Sequence, residues 1–202
     1  MMHIKSFLFS LLALSPGLGY GEAKNVARLF QPHNLWYEVY LGEMKAGYAH
    51  DQMYREGDLI KSRNEMLIQI KRVGQVVEIT AEQKTVEKLS GELVEFSTET
   101  KMSGIPMIKK GRVDGNELVV YERQFIRGKE SRYSFDPEGG SGWGLRKKIL
   151  DQGIKQAGDR YEIKVYSPDL SMRTTAAAFV ELKGKKSVTH GGALIDAYEV
   201  VV

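Results

Sequence analysis

The chain has 202 residues, enough for one domain with a sizeable core, and its 42% hydrophobic and 27% charged residues are typical of a globular protein. It contains no cysteine, which excludes disulfides, thiolate metal sites and a cysteine nucleophile. The formal net charge of +3 is too small, and its cations too scattered, to indicate nucleic-acid binding.

Residues 1–23 have the pattern of a secretory signal peptide. A basic start, Met1–Lys5, precedes an apolar run, Phe7–Leu14, that is too short to span a bilayer, which takes about 20 residues. Small residues up to Ala23 then fit a cleavage site; the alternative is an uncleaved anchor. We therefore predict an exported protein, periplasmic or extracellular, with a polar lead-in over residues 24–34.

The stretch Leu35–Tyr54 predicts a β-hairpin. Side chains alternate with a period of two along Leu35–Leu41, the chain turns through Gly42–Ala46, and Gly47–Tyr54 returns. Both faces of this hairpin carry aromatic residues, so we expect it inside a sheet rather than at the rim.

Long alternating segments separated by turn residues follow, which is the pattern of an antiparallel meander with one wet face. Strands are predicted over Leu59–Lys71, Val76–Lys88, Glu92–Met102, Ile105–Val113, Glu117–Phe125 and Ser131–Phe135. Turns are predicted at Gly57-Asp58, Gly74-Gln75, Ser90-Gly91, Asp114-Gly115-Asn116 and Arg127-Gly128-Lys129.

One helix interrupts the strands. Trp143–Gln152 places Leu145, Ile149 and Leu150 on one face, and Gly153 is positioned to end it. Further strands are predicted over Tyr161–Tyr166, Met172–Glu181, Ser187–His190 and Ala193–Val202, with a turn at Gly184. The prediction for residues 35–202 is a mainly β fold, a single curved antiparallel sheet or open barrel with one short helix. Because an apolar strand ends the chain, we expect the domain to be truncated there.

Four apolar residues are candidates for a binding site. Trp36 and Tyr48 in the hairpin, with Trp143 and Leu145 on the helix, are predicted to line an apolar cavity, which the helix closes as a lid. The alternative is ordinary core packing of large aromatic side chains.

His50-Asp51 is the polar pair that most resembles catalytic machinery. Neighbours on a strand point to opposite faces, so the two cannot act on one another. His33 and His190 have no metal-ligand spacing with His50, and the chain has neither a nucleophile elbow nor a phosphate-binding loop. We predict no catalytic residue, no metal, no cofactor and no enzymatic activity.

Three basic runs are candidates for peripheral contact with anionic lipid or polymer: Lys109–Arg112, Arg146–Lys148 and Lys183–Lys186. The alternative is solvated surface, because strand tips and sheet edges are commonly charged. Both interpretations stay open on sequence grounds.

The run W-Y-x-V-Y-L-G-x-x-K-x-G-Y-x-H, at Trp36–His50, resembles the opening of an exported bacterial β-domain found N-terminal to transglutaminase-like cysteine peptidase domains. Later segments resemble the same family: Gly142–Arg146, Gly158–Tyr161, Tyr166–Pro168, Gly184–Val188, Gly191–Ala193 and Tyr198–Val200. The likeness extends to a lipoprotein-carrier-like half-barrel family of unknown function, in which a curved sheet wraps a helix and an apolar cavity.

The resemblance implies two functions that stay open. The chain is an accessory domain that docks on, or presents substrate to, a C-terminal peptidase-like domain or partner protein. Alternatively it is a periplasmic carrier of a lipid or other apolar ligand. The peptidase-like domain, with its Cys, His and Asp, is absent from this sequence, so no catalytic residue carries over.

Overall fold

The computed structural model describes residues 30–41, 43–72, 74–136, 141–152, 156–166, 175–190 and 193–201. The first eight strands are β1 His33–Leu41, β2 Met44–Glu56, β3 Leu59–Arg72, β4 Gln75–Lys88, β5 Leu93–Met102, β6 Ile105–Asp114, β7 Glu117–Gln124 and β8 Arg127–Ser134. Helix α1, Gly142–Gln152, is followed by β9 Arg160–Val165, β10 Ala176–His190 and β11 Ala193–Val201. The predicted signal peptide and the predicted helix end at Gly153 lie outside the described residues.

Strands β1 to β8 form one large sheet in which every strand pairs antiparallel with the next. The sheet is not closed into a barrel, and β1 and β8 are its two edges. This confirms the predicted fold class: a mainly β chain with an open antiparallel sheet and one short helix. Alternating side chains favour this arrangement because each strand buries one face only.

The opening hairpin lies at the edge of this sheet, not inside it. Within the described part of the chain β1 pairs with β2 alone, so the expectation drawn from its two aromatic faces is wrong. Aromatic residues on both faces do not require a neighbouring strand on both sides, because an edge strand can leave one aromatic row exposed. Trp36 and Tyr40 are such exposed side chains.

Strands β9 to β11 form a second, three-stranded antiparallel sheet in the order β11-β10-β9, a separation that the sequence did not predict. The predicted turn at Gly184 is wrong, because this glycine lies within β10. The pairing register with β11 shifts between Leu182 and Gly184, whose φ is 132°. A glycine tolerates the backbone of such a bulge, so the strand bends without ending.

The turn between β7 and β8 also differs from the prediction. Gln124 pairs with Arg127, which leaves Phe125 and Ile126 as a two-residue loop, whereas the predicted tip Arg127-Gly128-Lys129 lies inside β8. The turn was predicted at the wrong position because Gly128 is required by packing and not by a turn. The side chain of Tyr121 occupies the space that a Cβ at Gly128 would need.

Helix α1 joins the two sheets. Its Trp143 packs with Met53 and Ile60 of the large sheet, while Leu145 and Ile149 pack with residues of the small one. A third cluster fills the space beneath β5 to β8: Leu93, Phe96, Leu118, Val120, Phe135 and Tyr166. We call the side of the large sheet that carries α1 the helix face and the opposite side the open face.

Candidate functional site

The structure does not bring the four predicted site residues together. Trp36 and Tyr48 lie on the open face, where their ring centroids are 5.5 Å apart and Trp36 is 63% exposed. Trp143 is 2% exposed on the helix face, and Leu145 is buried against the small sheet. Helix α1 therefore does not close over Trp36 and Tyr48, and the core-packing alternative describes Trp143 and Leu145.

Register pairing builds a row of side chains across the open face. Trp36 lies opposite His50, His50 opposite Glu65, Glu65 opposite Glu82, and Glu82 opposite Glu99. The row thus begins with two rings at the sheet edge and continues as three neighbouring carboxylates. Like charges directly opposite one another are unfavourable in a sheet, so this row costs folding free energy unless cations compensate it.

The two rings of this row form a stacked pair. The ring centroids of Trp36 and His50 are 4.0 Å apart and their planes differ by 7°. Nδ1 of His50 lies 3.2 Å from Oε2 of Glu65, and Nε2 lies 2.5 Å from the Asn34 side-chain oxygen. Stacking and both hydrogen bonds hold the imidazole in one orientation and leave His50 only 8% exposed.

Two cations compensate the carboxylates next to the ring pair. Arg63 donates from Nη2 to Glu65 at 2.6 Å and from Nε to Glu82 at 2.7 Å, and Lys84 donates to Glu82 at 2.9 Å. Partial burial acts to raise the pKa of Glu82, but the hydrogen bonds from Lys84 and Arg63 hold that pKa below its ordinary value. Glu82 is therefore a stable anion on this face.

An open groove of about 290 Å³ runs along the row. Trp36 and Tyr48 line one end, while the other carries charged side chains from β3, β4 and β5: Glu65, Glu82, Glu99 and Lys101. Because apolar and charged walls share one groove, it suits a segment with mixed side chains better than a hydrocarbon chain.

His50 and Asp51 point to opposite faces, as predicted. Asp51, on the helix face, accepts from His33 Nε2 at 2.9 Å and from Arg146 Nη2 at 3.2 Å. These contacts connect β1, β2 and α1, so Arg146 does not belong to a solvated basic surface, whereas Lys147 and Lys148 make exposed contacts with Asp151 and with the Lys164 carbonyl. The basic run Lys109–Arg112 likewise lies within β6 rather than at a strand tip.

The sequence reasoning missed Glu87, a carboxylate with no exposed surface at the N-terminus of α1. Its Oε1 accepts from the backbone N–H groups of Ser141 and Gly144, both at 2.9 Å, and its Oε2 accepts from that of Trp143 at 2.7 Å. Unpaired N–H groups and the helix dipole make such a terminus favourable for an anion. Glu87 on β4 thereby caps a helix more than fifty residues away.

The Gly142–Arg146 segment owes its composition to this junction. The backbone of Gly144 lies so close to Gly91 that a Cβ would overlap the Gly91 carbonyl oxygen. Trp143 donates from its indole nitrogen to the Leu89 carbonyl at 3.0 Å. The glycines allow close approach and Trp143 fills the core, so this motif stabilises the fold.

Glu87 makes stability depend on pH. Burial raises the pKa of its carboxyl, although the hydrogen bonds from Gly144, Trp143 and Ser141 act to lower it. The native state therefore binds this proton more tightly than the unfolded chain. The part of the unfolding free energy that comes from this bound proton is fully present below the unfolded pKa of about 4.3 and is lost as pH rises through the folded pKa, whereas the hydrogen bonds from the three N–H groups also form with the ionised carboxylate.

We therefore expect the Glu87→Gln variant to become more stable relative to the wild type as pH rises above about 4.3, because only the wild type loses the stability that comes from the bound proton. Urea unfolding of both proteins over a pH series measures this difference, and subtraction removes the titration of all other groups. Two stability curves that stay parallel over the whole series would contradict the raised pKa.

Among the described residues, no group of three or more His, Asp or Glu side chains could hold a metal ion, and no helix is both long and apolar enough to cross a membrane. Comparison with known proteins finds no family model, curated protein or solved structure that matches this chain significantly.

Proposed function

We propose that this chain is an exported, non-catalytic binding domain that accompanies a transglutaminase-like peptidase domain or protein. The partner contributes an extended segment that pairs with the outer edge of β1. The groove beside Trp36 and Tyr48 then accommodates side chains of that segment. Main-chain pairing supplies affinity in this mode of recognition, and pockets for alternate side chains supply specificity.

The contrast between the two edge strands carries this proposal. β8 has four charged residues among its eight, a common protection against unwanted pairing: Arg127, Lys129, Glu130 and Arg132. β1 has nine residues, of which Glu38 alone is an Asp, Glu, Lys or Arg, and it exposes Trp36 and Tyr40. An edge strand of this length with a single charged residue is a template for another strand.

The contacts of His50 favour binding over catalysis. Both ring nitrogens are engaged, Nδ1 with a Glu65 carboxylate oxygen and Nε2 with the Asn34 side-chain oxygen. One face of the ring is covered by Trp36. A general base needs a free nitrogen within reach of substrate, so His50 is better suited to orienting Trp36.

The carrier alternative has less support. It requires apolar walls around a cavity, yet the groove beside Trp36 and Tyr48 includes Glu65, Glu82 and Lys101. The helix residues expected to close that cavity, Trp143 and Leu145, are occupied in the core.

A photo-cross-linking experiment in the natural host tests the accessory function. A benzoylphenylalanine at Tyr40, exposed on β1, should form an adduct with a transglutaminase-like protein or domain. A second protein carries the same photo-reactive residue and also Trp36→Lys, which gives β1 a charge like those of β8. Its cross-linking yield should fall at least about tenfold, because exposed Trp anchors dominate such interfaces.

The matched control carries the same photo-reactive residue at Tyr121, an exposed tyrosine on β7. It should give no adduct with the transglutaminase-like partner. Equal yields from both positions, or no adduct from Tyr40, would refute the proposal. Co-purified lipid released from the chain in stoichiometric amount, and identified by mass spectrometry, would favour the carrier instead.

A further inference from the structure

One end of the large sheet carries a row of exposed apolar turns. The antiparallel order places the connections β1–β2, β3–β4, β5–β6 and β7–β8 at the same end, which we call the rim. Each of these four hairpins exposes two large hydrophobic side chains there: Leu41 and Met44, Ile70 and Val76, Met102 and Ile105, Phe125 and Ile126. Met44 is 74% and Ile126 95% exposed, so these side chains are unusually accessible.

Charge divides the two ends of the same sheet. The rim segments 40–45, 71–76, 101–106 and 123–128 contain six Lys or Arg residues and one carboxylate. The connections at the other end, 55–60, 87–94 and 113–118, contain five carboxylates besides the buried Glu87, and two cations. The rim therefore combines apolar tips with a positive charge that the opposite end lacks.

The tip at Phe125-Ile126 runs against ordinary turn chemistry. Phe125 has a φ of 59°, a conformation that two-residue hairpin loops usually assign to Gly, Asn or Asp. A bulky aromatic residue in this conformation costs backbone energy, and both side chains of the tip, Phe125 and Ile126, are exposed. Local rules broken together in this way are expected at functional sites.

We propose that the rim docks on an anionic phospholipid bilayer. The apolar tips insert at the boundary between headgroups and acyl chains, while the flanking Lys and Arg side chains contact lipid phosphates. Turn backbones remain at headgroup depth, where water satisfies their polar groups.

The spacing of the tips favours a bilayer over a protein surface. Neighbouring strands are about 4.8 Å apart, so successive hairpins are separated by about 10 Å and the apolar pairs are interrupted by cations. A protein interface needs a contiguous, desolvated apolar centre with few charges. A lipid surface accepts separate insertions and gains from each cation between them.

Vesicle binding by the full chain tests the proposal. We expect the chain to co-sediment with vesicles that contain phosphatidylglycerol and to bind phosphatidylcholine vesicles more weakly. The double variant Phe125→Gly/Ile126→Ser carries residues that suit this turn, so it should fold normally. Its binding should fall at least about tenfold, because full burial of one Phe or Ile side chain is worth that much.

Two further variants complete the test. Arg123→Gln/Arg127→Gln should weaken binding to the anionic vesicles by about fivefold per cation removed. Tyr54→Ser, which removes an exposed aromatic side chain near the opposite end of the sheet, should bind like the wild type. No vesicle binding, or equal binding by the Phe125→Gly/Ile126→Ser variant, would overturn the proposal. Self-association abolished by that variant, without vesicle binding, would assign the rim to a second copy of the chain.

Discussion

Glu87→Ala should lower the free energy of unfolding by about 3 kcal/mol, with a fall in Tm of about 10 °C. The substitution leaves three backbone N–H groups at the start of α1 without their acceptor, in a site with no exposed surface. Each unsatisfied buried donor costs about 1–3 kcal/mol. Burying the Glu87 carboxylate also carries a desolvation cost, which raises its pKa. The alanine variant avoids this cost, so part of the loss is offset.

Glu95→Ala is the matched control for Glu87→Ala. Glu95 is an exposed glutamate on β5, next to β4, so its loss should change stability by less than about 0.5 kcal/mol. Urea unfolding at neutral pH measures both variants. Equal, small effects would contradict the assignment of Glu87 as the acceptor that attaches α1 to the large sheet.

Trp143→Ala should lower the free energy of unfolding by about 4 kcal/mol. Trp143 is packed against Met53 and Ile60, its ring meets Phe30 edge-on at 5.4 Å, and its indole donates to the Leu89 carbonyl. Removing it leaves a large cavity between the helix and the sheet. Unfolding followed by circular dichroism measures the loss.

The same substitution at Trp36 provides the comparison. Trp36 is mostly exposed, so Trp36→Ala should cost less than about 1 kcal/mol even though it loses the stack on His50. Although Trp36→Ala has the smaller effect on stability, it should lower the yield of cross-linking to the partner while the chain stays folded. A Trp143→Ala protein with wild-type stability would contradict core packing and return Trp143 to the candidates for a ligand site.

Strand positions were predictable because their signals are local. Alternation along Leu59–Lys71 and Val76–Lys88, with turn residues between, predicted two long paired strands that the structure bounds within a residue or two. The helix was predictable from the spacing of Leu145, Ile149 and Leu150. Errors arose where one signal has two uses: Gly184 marks a bulge instead of a turn, and Gly128 makes room for Tyr121.

The candidate site was predictable only in part. Trp36 and Tyr48 lie on the two strands of one hairpin and share a face, which the alternation of side chains along each strand can predict. The sequence could not indicate that Trp143 lies on the other side of the sheet, because that depends on where α1 crosses back. Glu87 was missed for the same reason: its partners follow more than fifty residues later, and an isolated glutamate on a strand ordinarily indicates a wet face.

The sequence by itself determined most of the strands, the helix, the alternation of faces along each strand and the absence of cysteine chemistry, since these follow from neighbours a few residues apart. Only the tertiary structure decided that β1 is an edge, that Glu65 and Glu82 share Arg63, and that four apolar tips lie at one end. These relations depend on which strands pair and in what register. Strand pairing depends on how much apolar surface the whole fold buries. That quantity depends on contacts between residues far apart in the chain, which no local sequence pattern shows.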